Sequence, residues 1–187
     1  MSPVPLLVLT GPKHSGKTSA GYALREVLGW DFADLDAVIE KREGVTARTL
    51  YRRGRDVFQK AETEAVISLQ TDFTTGKPMI VAGGGGLIDN DEAVTAFAKN
   101  PGAIIVYLEV SAATAWSRIE GSGNGLPPFL NVENPKLAHA ALHERRAAAY
   151  RKLARIIINA EKKTPGQIAL EIVKHINGKY PPPPLFK

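Results

Sequence analysis

Short apolar runs alternate with amphipathic stretches along the whole chain, and this alternation predicts most of the fold. Residues 4–10 form an apolar run closed by Gly11 and Pro12, which reads as a buried strand. Lys17–Leu28 places Ala20, Ala23, Leu24, Val27 and Leu28 at helical spacing, so a helix with one apolar face follows. Residues 30–35 read as a second strand, 36–43 as a helix stopping near Gly44, and 46–53 and 57–71 as two helices parted by Gly54. Met79–Ala82 is a short apolar strand that runs into four glycines, and 91–99 is helical. Ala103–Glu109 is a strong buried strand, followed by a helix over 112–119. Residues 121–135, rich in Gly, Ser, Asn and Pro, read as a loop long enough to serve as a lid. A long helix over 136–153, a fifth strand over 155–159 and an amphipathic helix over 164–176 complete the pattern, and Pro165 falls in the first turn of that last helix.

Strands alternating with helices predict an α/β fold of three layers, α/β/α, around a five-stranded parallel sheet. One domain over 1–178 is expected, with the lid at about 121–135 and an extended proline-rich tail at 179–187. Ligands of such sheets bind at the carboxyl ends of the strands. Each unusual glycine cluster of this chain falls at such an end.

Composition narrows the chemistry. A length of 187 residues suits one full core. The absence of cysteine excludes disulfides, cysteine metal sites and a cysteine nucleophile. A net charge of +5 suits an anionic ligand. The basic residues are scattered, so no nucleic-acid partner is expected. No apolar run approaches a membrane span, and no signal-peptide pattern is present, so a cytoplasmic monomer without membrane partners is the expectation.

Gly11-Pro-Lys-His-Ser-Gly16-Lys17-Thr18 fits the phosphate-binding pattern G-x-x-x-x-G-K-[ST] between a strand and a helix. Its glycines let backbone N–H groups turn around phosphate oxygens, and the helix start adds its positive dipole end. Lys17 would reach the β- and γ-phosphates of a nucleotide, and the Thr18 hydroxyl would serve Mg²⁺. Asp34 and Asp36 close the second strand, where alternation would put both carboxylates on one side. One could organise Mg²⁺ and the other orient an acceptor hydroxyl; alternatively, Asp36 caps the helix behind it. The run from Gly83 to Gly86 admits either a close backbone approach or a tight turn. Arg145 and Arg146 could grip a carboxylate or phosphate, or face solvent. His139 and His143 have a metal-ligand spacing, but without a third ligand a solvated helix face is expected.

Taken together these residues resemble the shikimate kinase family, small P-loop NTPase-fold kinases of the nucleoside monophosphate kinase type. The resemblance spans about 6–176. Its landmarks are the phosphate loop, Phe32-Ala-Asp34-Leu-Asp36, Ile39-Glu-Lys-Arg-Glu-Gly44, Phe58-Gln-Lys-Ala-Glu62, Val81-Ala-Gly83-Gly-Gly85, Val106-Tyr-Leu-Glu109, Arg118, Glu144-Arg-Arg146 with Tyr150, and Thr164-Pro165-Gly166. It implies ATP and Mg²⁺ as cofactors and a small hydroxy acid, shikimate first, as acceptor. Gly11, Ser15, Gly16, Lys17, Thr18 and Ser19 would hold the nucleotide phosphates, and Arg118 and Pro165 would sandwich adenine. Thr18 and Asp34 would serve the metal, and Lys17 and Asp36 would be catalytic, Asp36 as base. Asp36, Gln59, Gly83, Gly84, Gly85 and Arg146 would contact the acceptor.

Three positions depart from the family pattern. The family places an arginine after the phenylalanine matching Phe58, where this chain has Gln59 beside Lys60. The family lid reads Arg-Pro-Leu-Leu, where this chain has Leu126-Pro-Pro-Phe-Leu130 and no Lys or Arg over 120–134. A further loop glycine is His14. These changes keep two alternatives open: a kinase for another polyhydroxy acid or polyol, and a nucleotide-binding regulatory module with little catalysis.

Overall fold

The computed structural model describes residues 4–72, 76–123 and 125–176. The expected tail at 179–187 lies outside them. The chain runs β1 (Leu6–Thr10), α1 (Lys17–Leu28), β2 (Asp31–Asp34), α2 (Leu35–Glu43), α3 (Ala47–Arg53), α4 (Arg55–Asp72), β3 (Met79–Ala82), α5 (Asp91–Ala98), β4 (Ala103–Glu109), α6 (Ala112–Glu120), α7 (Pro135–Leu153), β5 (Ile156–Asn159) and α8 (Pro165–Ile176). Short 3-10 turns occupy Leu87–Asp89 and Pro128–Leu130.

The five strands form one parallel sheet in the order β2-β3-β1-β4-β5. Alternation sorts the side chains of β1 into two layers: Leu7 and Leu9 pack with α1 and α8, while Leu6 and Val8 pack with α2, α4 and α5. Ile104, Val106 and Leu108 of β4 join the first layer and Ile105 the second. Both faces are covered, so the strands read as continuous apolar runs. The apolar face of α1 is narrower than its spacing predicts: Ala20, Leu24 and Leu28 are buried, while Val27 is 42% exposed. His139 and His143 overturn the expected solvated face. His139 is buried, its ring 5.4 Å from that of Trp116 and 5.7 Å from that of His143.

Register fixes where the site forms. Asp34 pairs with Ala82, and Ala82 with Leu9, so β2, β3 and β1 end at one level. The N–H of Gly83 then donates to the Leu9 carbonyl at 2.9 Å. The segment behind this edge is held by Asn90, the N-cap of α5. Its Oδ1 accepts from the Ala93 N–H and the Thr63 hydroxyl, both at 3.2 Å. Its Nδ2 donates to the Gln59 carbonyl at 2.8 Å and to Glu62 Oε2 at 2.9 Å. Asn90→Ala removes a cap and leaves a buried carboxylate with fewer donors. Thermal unfolding is expected to show a loss of about 2–4 kcal/mol, on the order of 10 °C in Tm. An unchanged Tm would mean that the segment is held from elsewhere.

Candidate active site

At the level where β2, β3 and β1 end lies a cavity of about 630 Å³. Its floor is the phosphate loop. Gly16 turns at φ 96° and caps α1, a left-handed geometry that suits glycine. His14 holds φ 60° in the same loop, which places a side chain where the family pattern has glycine. Lys17 is buried, and its Nζ donates to the carbonyls of Gly11 at 3.0 Å and Pro12 at 2.8 Å. Burial lowers its pKa to about 8, against the opposing pull of Asp36 and Asp34. Burial also lowers the pKa of His14, aided by Lys13, Lys17 and Arg118.

The acidic pair arises differently from the strand alternation expected for it. β2 ends at Asp34, and Leu35 and Asp36 already belong to α2. Asp34, not Asp36, is the helix cap: its Oδ1 accepts from the N–H groups of Asp36 at 3.1 Å and Ala37 at 3.4 Å. Its Oδ2 accepts from the Thr18 hydroxyl at 2.6 Å. One carboxylate thus caps α2 and ties it to α1. Asp36, the second residue of the helix, also faces the cavity. Burial and the nearby charge of Asp34 raise its pKa.

The glycine run supplies close approach. None of these four glycines has positive φ. A Cβ on Gly84 would lie 3.1 Å from Glu62 Oε1 and 3.3 Å from Asp36 Oδ1, and one on Gly85 would lie 2.8 Å from the Lys13 nitrogen. Arg146 reaches the same wall from α7. Its Nη1 donates to the Gly85 carbonyl at 3.2 Å, and its Nε and Nη2 donate to Asp89 Oδ2 at 3.0 and 2.7 Å. Its guanidinium also lies 5.4 Å from the centre of the Phe129 ring. At the opposite end Arg118 donates to the carbonyls of His14 at 2.9 Å and Glu161 at 3.4 Å.

The cavity therefore gathers Gly16, Lys17, Thr18, Ser19, Asp34, Asp36, Gly83, Gly84, Gly85, Arg118 and Arg146 of the residues singled out in the sequence. Gly11 and Ser15 are not among the cavity walls, and a Cβ on Gly11 would lie 2.6 Å from the Leu108 carbonyl oxygen and 3.0 Å from Ser15 Oγ. Pro165, the first residue of α8, is not among the cavity walls, and neither is Gln59. Gln59 turns its amide to the Asp89 carbonyl at 2.6 Å.

Sequence reasoning missed four contributors. Lys13 of the phosphate loop lines the cavity. Arg48 of α3 lines it too and donates to the lid carbonyl of Leu126 at 2.7 Å. Tyr51 lies between Phe58 and Phe129, at 6.0 and 6.1 Å between ring centres, and joins α3, α4 and the lid. Glu62 is buried in the apolar stripe of α4 among Ala61, Ala65, Val66 and Leu69, a charge at a core position that was visible in the sequence.

The donor set suits magnesium and phosphates. A hydroxyl and a carboxylate in contact, beside a helix N-terminus and a buried ammonium, are the sparse protein ligands that Mg²⁺ takes when phosphate completes its shell.

A family model described as shikimate kinase matches residues 13–177. A shikimate kinase of Thermobifida fusca is 36% identical over 177 residues, covering 94% of this chain and 97% of that one. One from Marinomonas is 32% identical, covering 94% of each. The solved structure of a shikimate kinase from Acinetobacter baumannii, in complex with shikimate, superposes with a TM-score of 0.83 at 29% identity, covering 96% of this chain and 97% of that one.

Burial raises the pKa of Glu62 to about 7, although the Asn90 bond opposes it. Between pH 4.5, the ordinary value, and about 7, the folded protein binds more protons at Glu62 than the unfolded chain does. Stability from this group is full below that window and is lost as pH rises through it. Unfolding of Glu62→Gln and the native protein at pH 4 and pH 8 should therefore differ in slope, by on the order of 3 kcal/mol. Parallel pH profiles would show that Glu62 ionises normally.

Proposed function

The chain belongs to the shikimate kinase family, and we propose that it transfers the γ-phosphate of ATP to a hydroxyl of shikimate. The observation that carries this reading is the convergence of Lys17, the Thr18–Asp34 bond and Asp36 on one cavity. In this reading residues 1–178 act as one kinase unit with the lid at about 121–135.

Gly11, Ser15, Gly16, Lys17, Thr18 and Ser19 take the phosphates, mainly through backbone N–H groups and the dipole of α1. Lys17 exchanges the carbonyls of Gly11 and Pro12 for phosphate oxygens, where its charge meets the charge that develops during transfer. Thr18 and Asp34 would hold Mg²⁺, which would supply charge neutralisation to the phosphates. Arg118, which lines the cavity, flanks the base. Asp36 accepts the proton of the acceptor hydroxyl. Its raised pKa makes it a better base than an ordinary carboxylate, while it remains largely ionised only above that pKa. Gly83, Gly84 and Gly85 let the acceptor ring approach the backbone, and Arg146 holds its carboxylate at the far wall. Gln59, facing Asp89, gives that wall its shape but no charge.

ADP release coupled to an optical readout tests this with Mg²⁺-ATP in the presence and absence of shikimate. Shikimate-dependent ADP formation is expected. Asp36→Asn should lower kcat by about 10²–10⁴-fold while calorimetry still detects ATP. Lys17→Ala should lose turnover as well. Undiminished turnover in Asp36→Asn would remove its assignment as base. ATP binding without shikimate-dependent ADP would pass the acceptor role to another hydroxy acid or polyol, to be found with a panel of such compounds.

A further inference from the structure

A second chamber, of about 300 Å³, adjoins the acceptor end of the cavity and shares Phe58, Glu62, Phe129 and Arg146 with it. It is lined by three guanidiniums, those of Arg55, Arg145 and Arg146, and by two carboxylates, those of Glu62 and Asp89. Asp89 is 8% exposed and takes the two bonds from Arg146 on Oδ2. Arg145 Nη2 lies 2.9 Å from Oδ1. Arg55 Nη2 stands 4.0 Å from Oδ2, beyond hydrogen-bonding distance, and its side chain is 59% exposed. Burial would raise the pKa of Asp89, but the arginines outweigh it and hold the carboxyl below its ordinary value. Three permanent cations thus face two carboxylates, and Asp89 is the one that all three approach within 4.0 Å.

Arg55 begins α4, and Gln59 lies one helical turn further on, so the two share a face of the helix. The Gln59 amide is committed to the Asp89 carbonyl. Arg55 is engaged with Asp89 by charge alone, and its more than half-exposed side chain lines the chamber. Planar guanidiniums bind carboxylates in two-pronged fashion, and a cluster with surplus charge favours an added anion.

We propose that Arg55, Arg145 and Arg146 form a carboxylate-binding subsite, and that Arg55 is the residue of α4 that recognises the acceptor's carboxylate. The proposal rests on the reading of the acceptor as a hydroxy acid. It makes Arg55 a specificity residue: acceptors without a carboxylate gain nothing from it.

Steady-state kinetics on Arg55→Ala test this. The KM for shikimate should rise about 10- to 100-fold, the worth of one charge-assisted bond, with a far smaller change in the KM for ATP. Shikimate methyl ester, which lacks the charge, should give the native protein and Arg55→Ala the same kcat/KM. Adding Gln59→Arg to Arg55→Ala should restore most of the KM by returning a guanidinium one turn away. A KM for shikimate unchanged in Arg55→Ala overturns the proposal, as does an equal loss with acid and ester. Should the native protein fail to turn over shikimate, the acceptor reading fails by itself. The subsite is then decided by calorimetry with cyclohexanecarboxylate and related cyclic monocarboxylates. Binding that Arg55→Ala abolishes upholds it, and equal binding by both proteins, or none by the native protein, overturns it.

Discussion

Four consecutive residues without side chains let every wall of the site meet. Gly83 sits under Leu87 and the Leu9 carbonyl, Gly84 between Glu62 and Asp36, Gly85 against the Lys13 backbone, and Gly86 beside Arg146. A methyl group at Gly85 would collide with the Lys13 backbone, one at Gly83 with the Leu87 side chain, and one at Gly84 would crowd the Glu62 and Asp36 carboxylates. Glycine costs backbone entropy, and here the return is steric rather than conformational, because none of the four adopts positive φ. The parallel register then places this bare strip between the phosphate loop and the acidic turn after β2. The geometry of phosphate loop, acids and arginine follows from that placement.

Charge is distributed around the strip by burial. On one side the Lys17 ammonium is desolvated next to Asp34 and Asp36. Behind it Glu62 is desolvated, with one oxygen bonded to Asn90 and the other without a partner among the described residues. Low effective dielectric makes such groups sensitive to one another and to any incoming charge. Asp89 stands apart from this group, since its burial is outweighed by guanidiniums. The two ends of the cavity thus differ in kind: one couples acids and a lysine that titrate easily, the other holds permanent charges.

Much of this was legible in the sequence. The five strands, the phosphate loop and the family resemblance rest on local order: apolar runs, glycine spacing and motif sequence. Boundaries moved by one or two residues, as with β1, which starts at Leu6 rather than residue 4. The acidic turn was found for an incomplete reason, because period-two alternation cannot tell a strand's last residue from a helix cap. Contacts between distant segments were not legible. Arg146 meets Asp89 across 57 positions and Arg48 meets Leu126 across 78. No periodicity encodes such pairs. The inward turn of His139 was hidden likewise, since its partner Trp116 lies on another helix. Glu62 was the exception: a carboxylate at a core position of a helix announces itself in the pattern.

The state of Lys17 has a chemical corollary. With a pKa of about 8, roughly a tenth of its side chains carry a free amine near neutral pH, far more than for an ordinary surface lysine. A neutral amine keeps two N–H groups for the carbonyls of Gly11 and Pro12 and has its lone pair to spare. The residue that serves as an electrostatic clamp is thereby also a nucleophile at the bottom of a shaped cavity. Acylating or aldehyde reagents small enough to enter would label it ahead of the exposed lysines, and phosphates seated in the loop would shield it. Covalent capture of this lysine thus offers a chemical handle on the phosphate loop.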